Sequence, residues 1–205
     1  GLGDVYKRQE FNVRTVCHPA QDMISAHIDS HLHTGIKFHF PYPTGIHTDN
    51  ACDWDANDKH STEVLKQDTQ SAVLKRTLDS TVYYVELKWE GKALLKEKEK
   101  NYFVLLPQED AFSFSCAFTA NEPDQLTVLP DFFEVESLAK NHWVNFWEEG
   151  AAVDFSHCTD PRAKELERRV VLSQYLLAIQ CAGSTPPQET CLLYTSPSPR
   201  DGLLS

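Results

Sequence analysis

The chain has 205 residues, of which 41% are hydrophobic and 11% aromatic, and its formal net charge is −11. This composition excludes a wholly disordered chain, and the acidic balance argues against a nucleic-acid partner or an anionic membrane surface, because both require a basic footprint. No apolar run reaches the length of about 18 residues that a membrane-spanning helix needs, so no membrane partner is predicted.

Both ends of the chain resemble translated sequencing adapter. Residues 1–9 read GLGDVYKRQ, and CLLYTSPSPRD occurs near the other end. One transposase adapter, used to fragment DNA libraries, would encode both when read on its two strands. We therefore expect residues 1–9 and 191–205 to be adapter artefacts and residues 10–190 to be a piece of a longer protein. The leader would then be missing, so the localisation stays open, although a periplasmic or secreted protein would fit.

The part of the chain from residue 10 to residue 130 alternates between apolar and polar residues. Such alternation predicts strands with one buried and one solvated face, which is typical of antiparallel sheets. Ile36, Phe38 and Phe40, for example, share one face of a strand. Several strands at short spacing predict a mainly β fold with an antiparallel β-sandwich domain. The predicted strands are Phe11–Cys17, Met23–Asp29, Thr34–Phe40, Ala72–Leu78, Val82–Trp89, Tyr102–Leu106 and Ala111–Phe118.

Two segments interrupt this pattern. The stretch from Pro41 to about Lys66 is too long and too polar for a simple turn, and loops of this length usually carry a function or wrap another domain. Residues Lys92 to Lys100 are rich in Lys and Glu and predict a solvated hairpin.

Two helices are predicted after Pro130, where apolar residues recur every three or four positions. The first, a linker helix from Asp131 to Glu149, stops at Gly150 and is followed by an extended link, so that the linker covers residues 131–159. The second starts with Asp160 as N-cap and Pro161 at its first position. Because the second helix is apolar on several sides, we expect it to have neighbours that this sequence does not contain.

The stretch from Ala139 to Thr190 resembles the junction in glycosidases with an (α/α)6 barrel, the six-hairpin group that includes glycoside hydrolase families 65, 78 and 95. In those enzymes a β-sandwich is followed by a tryptophan-rich linker helix, a short extended segment and the first barrel helix. The tryptophan-rich motif is similar to His142, Trp143, Phe146 and Trp147, and the barrel helix to Tyr175, Leu176 and Leu177. The resemblance implies that residues 160–190 are the start of a truncated (α/α)6 barrel, with the rest of the barrel as the missing partner of the sandwich.

The resemblance also implies a carbohydrate-active enzyme, most often an inverting glycoside hydrolase. In that chemistry one protonated carboxyl group protonates the leaving oxygen while an ionised one activates water. A family 65 member could use phosphate instead, so hydrolase and phosphorylase both stay open. Both carboxylates lie on barrel loops in such enzymes, so we expect no catalytic residue and no cofactor in this chain, which should be inactive alone. The alternative is a non-catalytic carbohydrate-binding or assembly sandwich.

Candidate substrate-binding residues occur in two places. A loop that opens toward substrate in such barrels contains Gln188 and Glu189, whose polar oxygens could accept hydrogen bonds from sugar hydroxyls. In the long loop of the sandwich, aromatic rings could stack on sugars while carboxylates and imidazole bind hydroxyls. There the alternative interpretation is a stiff turn and a tryptophan at the domain interface. The candidates in this loop are Tyr42, His47, Asp49, Asp53 and Trp54.

No metal site is predicted. Asp53 to Asn57 imitates the start of a calcium loop, but Asp58 stands where glycine is expected and Val64 where the bidentate glutamate should be. The nine histidines show no zinc-binding spacing. Five scattered cysteines outside the adapter segments suggest neither a zinc site nor a disulfide framework, and we expect each to be a small buried residue.

Overall fold

The computed structural model describes residues 12–30, 35–46, 51–123 and 128–181. The chain divides into two compact units, which are considered separately below. The first unit comprises residues 1–46 and 50–142, and the second comprises residues 47–49 and 143–205. The adapter-like residues 1–9 and 191–205 lie outside the described ranges.

Within these ranges the first unit is built almost entirely from strands. They are β1 (Asn12–Cys17), β2 (Met23–Asp29), β3 (Ile36–His39), β4 (Tyr42–Pro43), β5 (Cys52–Asp53), β6 (His60–Gln67), β7 (Ser71–Leu78), β8 (Thr81–Trp89), β9 (Ala93–Glu99), β10 (Tyr102–Pro107) and β11 (Ala111–Thr119). Two helices follow, α1 (Phe132–Phe146), which continues into a π-helical turn at Trp147–Ala151, and α2 (Ala163–Gln180).

The strands form two main sheets and a short ribbon. The larger sheet has the order β1-β2-β11-β8-β7-β6, the smaller has the order β3-β10-β9, and β4 pairs with β5 alone. Every pairing is antiparallel. The mainly β, antiparallel architecture that the alternating pattern predicts is therefore confirmed.

The main core lies between the two sheets, as in a β-sandwich. Leu74, Val85 and Trp89 of the larger sheet pack with Phe103 and Leu105 of the smaller one, all nearly or fully buried. Each such side chain contributes about 1.5–3 kcal/mol when it leaves water. The predicted inward face of β3 is also confirmed, because its apolar residues pack against this core; they are Ile36 and Phe38, followed by Phe40.

Helix α1 covers part of the opposite face of the larger sheet. Its start is fixed by a capping box: the backbone N–H of Glu134 donates to Oδ1 of Asp131, and the N–H of Asp131 donates to Oε2 of Glu134, both at 2.9 Å. Val135 then packs with Met23 and Ala117 in a second small core. Strand β2 therefore has buried residues on both faces, whereas we had expected one wet face.

The sequence pattern missed three of the described strands, the short β4 and β5 and the longer β6. Strand β6 lies inside the segment predicted to be a loop, because its inward positions are occupied by polar His60 and Thr62 rather than by apolar residues. The segment predicted to be a solvated hairpin, Lys92–Lys100, is instead mostly one strand, β9, which forms a hairpin with β10; its charged side chains suit an edge strand of the smaller sheet.

The predicted helix ends hold to within a few residues. Helical backbone geometry breaks at Gly150, which has a φ of 121° that glycine tolerates best. Helix α2 begins at Ala163, later than predicted, because Asp160, Pro161 and Arg162 form a preceding turn. In that turn the Asp160 carboxylate accepts the backbone N–H of Arg162 at 2.8 Å.

The second unit contains an aromatic cluster and a largely solvated helix. The ring of Trp143 lies 5.1 Å from that of Tyr175 and 5.4 Å from that of Phe146, and Trp147 lies 4.8 Å from Phe146. The extended link is tied to α2, since the N–H of Phe155 donates to Glu167 at 2.7 Å. Many large apolar side chains of α2 are exposed, among them Leu166, Leu172, Tyr175, Leu176, Leu177 and Ile179.

The expectation for the cysteines is wrong for most of them. Cys116 is buried, and burial raises the pKa of its thiol to about 12, so it behaves as a small apolar residue. The remaining described cysteines, Cys17, Cys52, Cys158 and Cys181, are exposed. Neither described helix combines the length and the apolar character that crossing a membrane requires.

Candidate functional site

Three of the predicted sugar-binding residues are brought together by the short ribbon of the first unit. Strands β4 and β5 pair so that Tyr42 lies opposite Asp53, and Trp54 follows directly. The other four candidates lie outside the described residues; they are His47, Asp49, Gln188 and Glu189.

Trp54 is the most accessible aromatic ring of this group. It is 51% exposed, and its ring lies 4.7 Å from that of His39. The ring of His39 in turn lies 5.1 Å from that of Tyr102. Three adjoining rings, one of them open to solvent, are suited to stacking against the apolar face of a flat ligand such as a sugar.

Asp53 has a local structural role. Its Oδ1 accepts the backbone N–H groups of Asp55 at 3.0 Å and Ala56 at 3.1 Å, which closes a tight turn below Trp54. The carboxylate therefore positions the tryptophan, and a ligand would compete with these two backbone donors for Oδ1.

Tyr42 is half-buried and contacts Asp79 and His60 rather than the rings of Trp54 and His39. Its hydroxyl donates to Oδ2 of Asp79 at 3.1 Å, and this hydrogen bond raises the pKa of Tyr42 above its usual value. One side of its ring lies 5.8 Å from the ring of His60, and the ammonium of Lys59 lies 5.3 Å from its centroid.

Behind Tyr42 lies a buried polar network centred on Arg76. Nη1 of Arg76 donates to Nδ1 of His60 at 2.8 Å, to the hydroxyl of Thr62 at 2.7 Å and to the side-chain oxygen of Asn101 at 3.3 Å. The guanidinium also lies 4.9 Å from the centroid of Phe40. Burial, and next the charge of Arg76, lower the pKa of His60. The neutral imidazole of His60 can accept a hydrogen bond from Arg76.

Sequence reasoning missed Arg76, His39 and Tyr102, although a signal was present for each. Arg76 occupies an inward position of a strand whose neighbouring inward residues, such as Leu74, are apolar. His39 alternates with two phenylalanines, which places it on the outer face of β3. Tyr102 becomes informative only through its pairing with His39, which requires knowledge of the strand register.

A Ser-His-Asp chain occurs on the other face of the larger sheet. Ring atom Nδ1 of His27 lies 2.8 Å from the hydroxyl of Ser113, and Nε2 lies 3.2 Å from Oδ1 of Asp29. Ser113 is only 4% exposed, and the Phe132 ring lies 5.5 Å from the imidazole. A nucleophilic serine must reach its substrate. The burial of Ser113 therefore argues against a nucleophilic serine, and the His27 ring instead packs against Phe132 at the start of α1.

The comparisons with known proteins were made for the whole chain. No protein-family model, no curated protein and no solved structure matches it. Function is therefore inferred from the geometry around Trp54 and from the order of the structural elements. Among the residues that the structure describes, no group of three or more His, Cys, Asp and Glu side chains could hold a metal ion.

Proposed function

We propose that this chain is the N-terminal part of an inverting glycoside hydrolase of the six-hairpin group, in which α2 is the first helix of the (α/α)6 barrel. The order of elements supports the proposal: a β-sandwich, a helix with a tryptophan-rich end, an extended link and a second helix. That order is the one expected from the resemblance of residues 139–190 to the sandwich–barrel junction.

The observation that carries the proposal is the solvated apolar surface of α2. At about 100° per residue, Leu166, Leu177 and Tyr175 point in directions that differ by up to roughly 180°. Leu177 is 65% exposed. A helix that is apolar on so much of its circumference requires neighbours on several sides. In the proposal, the following helical hairpins of the barrel supply them.

The chemistry in this proposal needs two carboxyl groups outside the 205 residues. One would donate a proton to the leaving oxygen, and the other would activate water on the opposite face of the sugar. Within this chain, Trp54 would contact the carbohydrate, and Gln188 and Glu189 are further proposed sugar-binding residues. Water and phosphate are both chemically possible nucleophiles for such a site.

The test is to extend the coding sequence into its flanking DNA and to express the longer protein. The longer protein should hydrolyse glycosides, or phosphorolyse them, with inversion at the anomeric carbon, as followed by proton NMR of the first-formed product. The 205-residue chain serves as the control and should show no activity. A stop codon directly after the sandwich and its helices, or a longer protein without six helical hairpins, would refute the proposal.

The second candidate is a non-catalytic carbohydrate-binding sandwich. The exposed ring of Trp54 beside His39 favours it, because a binding module needs only an accessible aromatic surface. The same experiment distinguishes the two candidates. A binding module would bind oligosaccharides without hydrolysing them, both as the 205-residue chain and as the longer protein.

A further inference from the structure

The outer face of the smaller sheet carries two lysines in one row. Val104 of β10 pairs with Lys37 of β3 on one side and with Lys96 of β9 on the other. Phe103 and Leu105, which flank Val104 in sequence, are buried in the sandwich core, so Val104 and its two partners point to the opposite face. Both lysines are exposed.

The neighbouring row of the same face is aromatic. Tyr102 pairs with His39, and Trp54 lies against His39 with 4.7 Å between the ring centroids. Lys37 and His39 are two residues apart on one strand, so their Cα atoms are about 7 Å apart and their side chains share this face. The lysine row therefore lies next to the aromatic row.

Lys37 and Lys96 have no counter-charge. Neither forms an ion pair with any residue in the described part of the chain, whereas Lys100, at the end of the same hairpin, pairs with Asp58 at 3.0 Å. The two lysines are about 10 Å apart across β10.

The charges on this face are also asymmetric. Glu99 pairs with Tyr102 and therefore lies at the end of the aromatic row that is farther from Trp54, on the same strand as Lys96. An anionic group on a ligand would be repelled by Glu99 and attracted to the lysine row. A ring stacked on Trp54 therefore has one favoured direction for its negative charge.

We infer that the outer face of the smaller sheet, formed by Lys37, His39, Trp54, Lys96 and Tyr102, binds an acidic saccharide of the uronate type. The apolar face of one sugar ring stacks on Trp54, and the carboxylates pair with Lys37 and Lys96. This inference rests on the proposed carbohydrate function and specifies its ligand class. A neutral saccharide would use the aromatic row alone, and a polyanion without sugar rings would use the lysine row alone.

Isothermal titration calorimetry of the 205-residue chain at low ionic strength distinguishes these ligands. The probes are polygalacturonate, its methyl-esterified form, which has the same rings without the charge, and polyglutamate, which has the charge without the rings. Polygalacturonate should bind about tenfold more tightly than either control polymer. Salt at about 0.5 M should weaken its binding, because exposed ion pairs are screened.

Single-residue variants test the contributions of the aromatic row and of the lysine row to binding separately. Trp54→Ala should lower the affinity for polygalacturonate about tenfold, and Lys37→Glu or Lys96→Glu should each lower it several-fold. The matched controls are Phe118→Ala, which removes an exposed aromatic ring from the larger sheet, and Lys92→Glu, which reverses an exposed charge in a turn. Both controls should bind as the wild type does, and circular dichroism should show that every variant is folded.

Three results would overturn the inference: equal affinity for the esterified polymer, unchanged affinity in Trp54→Ala, or no binding by the folded wild-type chain. None of them decides the proposed enzymatic function, which is tested by turnover in the longer protein. Conversely, a longer protein without turnover would refute the hydrolase proposal, while selective binding of polygalacturonate would still establish the acidic-saccharide surface.

Discussion

Nη1 of Arg76 lies 2.8 Å from Nδ1 of His60, and no carboxylate within the described ranges pairs with this buried guanidinium. Because arginine can only donate, Nδ1 of His60 must accept, which requires a neutral imidazole. Thr62, Asn101 and the backbone carbonyl of Ser61 supply further acceptors for the same nitrogen. The buried network near Tyr42 therefore consists of one charged side chain, that of Arg76, and neutral hydrogen-bond acceptors.

Stability should fall as the pH falls through the range in which His60 titrates. The pKa of His60 is lowered in the folded state from its ordinary value of 6.5, so the unfolded chain binds more protons near that pH. The stabilisation is complete above pH 6.5 and is lost as the pH falls toward the folded-state pKa. The melting temperature of the wild type should therefore decrease between about pH 7.5 and about pH 5.

The variant His60→Asn provides the check on this pH dependence. Its amide oxygen can accept from Arg76 but does not titrate, so its melting temperature should vary less over the same pH range. His157→Asn, at an exposed position, is the control and should keep the wild-type slope. Identical slopes for wild type and His60→Asn would contradict the role of His60.

Loss of the arginine itself should be costly. Arg76 is 1% exposed, and Arg76→Ala would leave the hydroxyl oxygen of Thr62 and Nδ1 of His60 without their donor. We expect the free energy of unfolding, measured with urea, to decrease by about 3 kcal/mol. Arg162→Ala, which removes an exposed pair with Asp160, should leave it nearly unchanged. Similar small effects of both variants would show that the network contributes little.

Substitution of Glu86 by glutamine should stabilise the protein. It is 8% exposed on the helix-facing side of β8, and its Oε2 accepts no hydrogen bond in the described part of the chain. A buried oxygen without a hydrogen bond is destabilising, so Glu86→Gln, which can place its amide N–H₂ at that position as a donor, should raise the free energy of unfolding by about 1 kcal/mol. Glu63→Gln, at an exposed position of β6, should leave it unchanged. A destabilised Glu86→Gln variant would indicate that the carboxylate has a partner after all.

The apolar surface of α2 should bind the dye ANS. Leu172, Leu176 and Leu177 are exposed, so substitution of all three by Gln should strongly reduce dye fluorescence. The melting temperature should hardly change, because these side chains contribute little buried area. The same change at exposed Val64 and Leu94 of the sandwich serves as the control and should leave dye binding intact. Unchanged fluorescence in the α2 variant would locate the dye elsewhere.

The sequence predicted those elements whose apolar pattern reflects a single interface. Strand β2 was predicted at Met23–Asp29, where it occurs, and the inward side of β3 was also correct. The outer side of β2 was predicted wrongly, as solvated. It is covered by α1 through contacts between residues more than 100 positions apart, such as Met23 and Val135. Alternation along one strand carries no information about a second layer.

The candidate site was predictable only in part, for a related reason. Trp54 stands out in the sequence as an aromatic residue in a polar loop, and the structure places it on the surface. The residues beside it, His39 and Tyr102, come from β3 and β10, and only the strand register brings them together. Lys37 and Lys96 are likewise ordinary surface lysines until that register places them on either side of Val104.

Hydrogen–deuterium exchange on α2 is the most direct measurement of the central claim, that this helix opens a barrel completed by later residues. Amides between Leu166 and Ile179 should exchange quickly in the 205-residue chain and should be protected at least about a hundredfold more strongly in the longer protein. Strand β8, already buried, provides the internal reference and should exchange equally in both. Equal exchange of α2 in the two proteins would contradict the account.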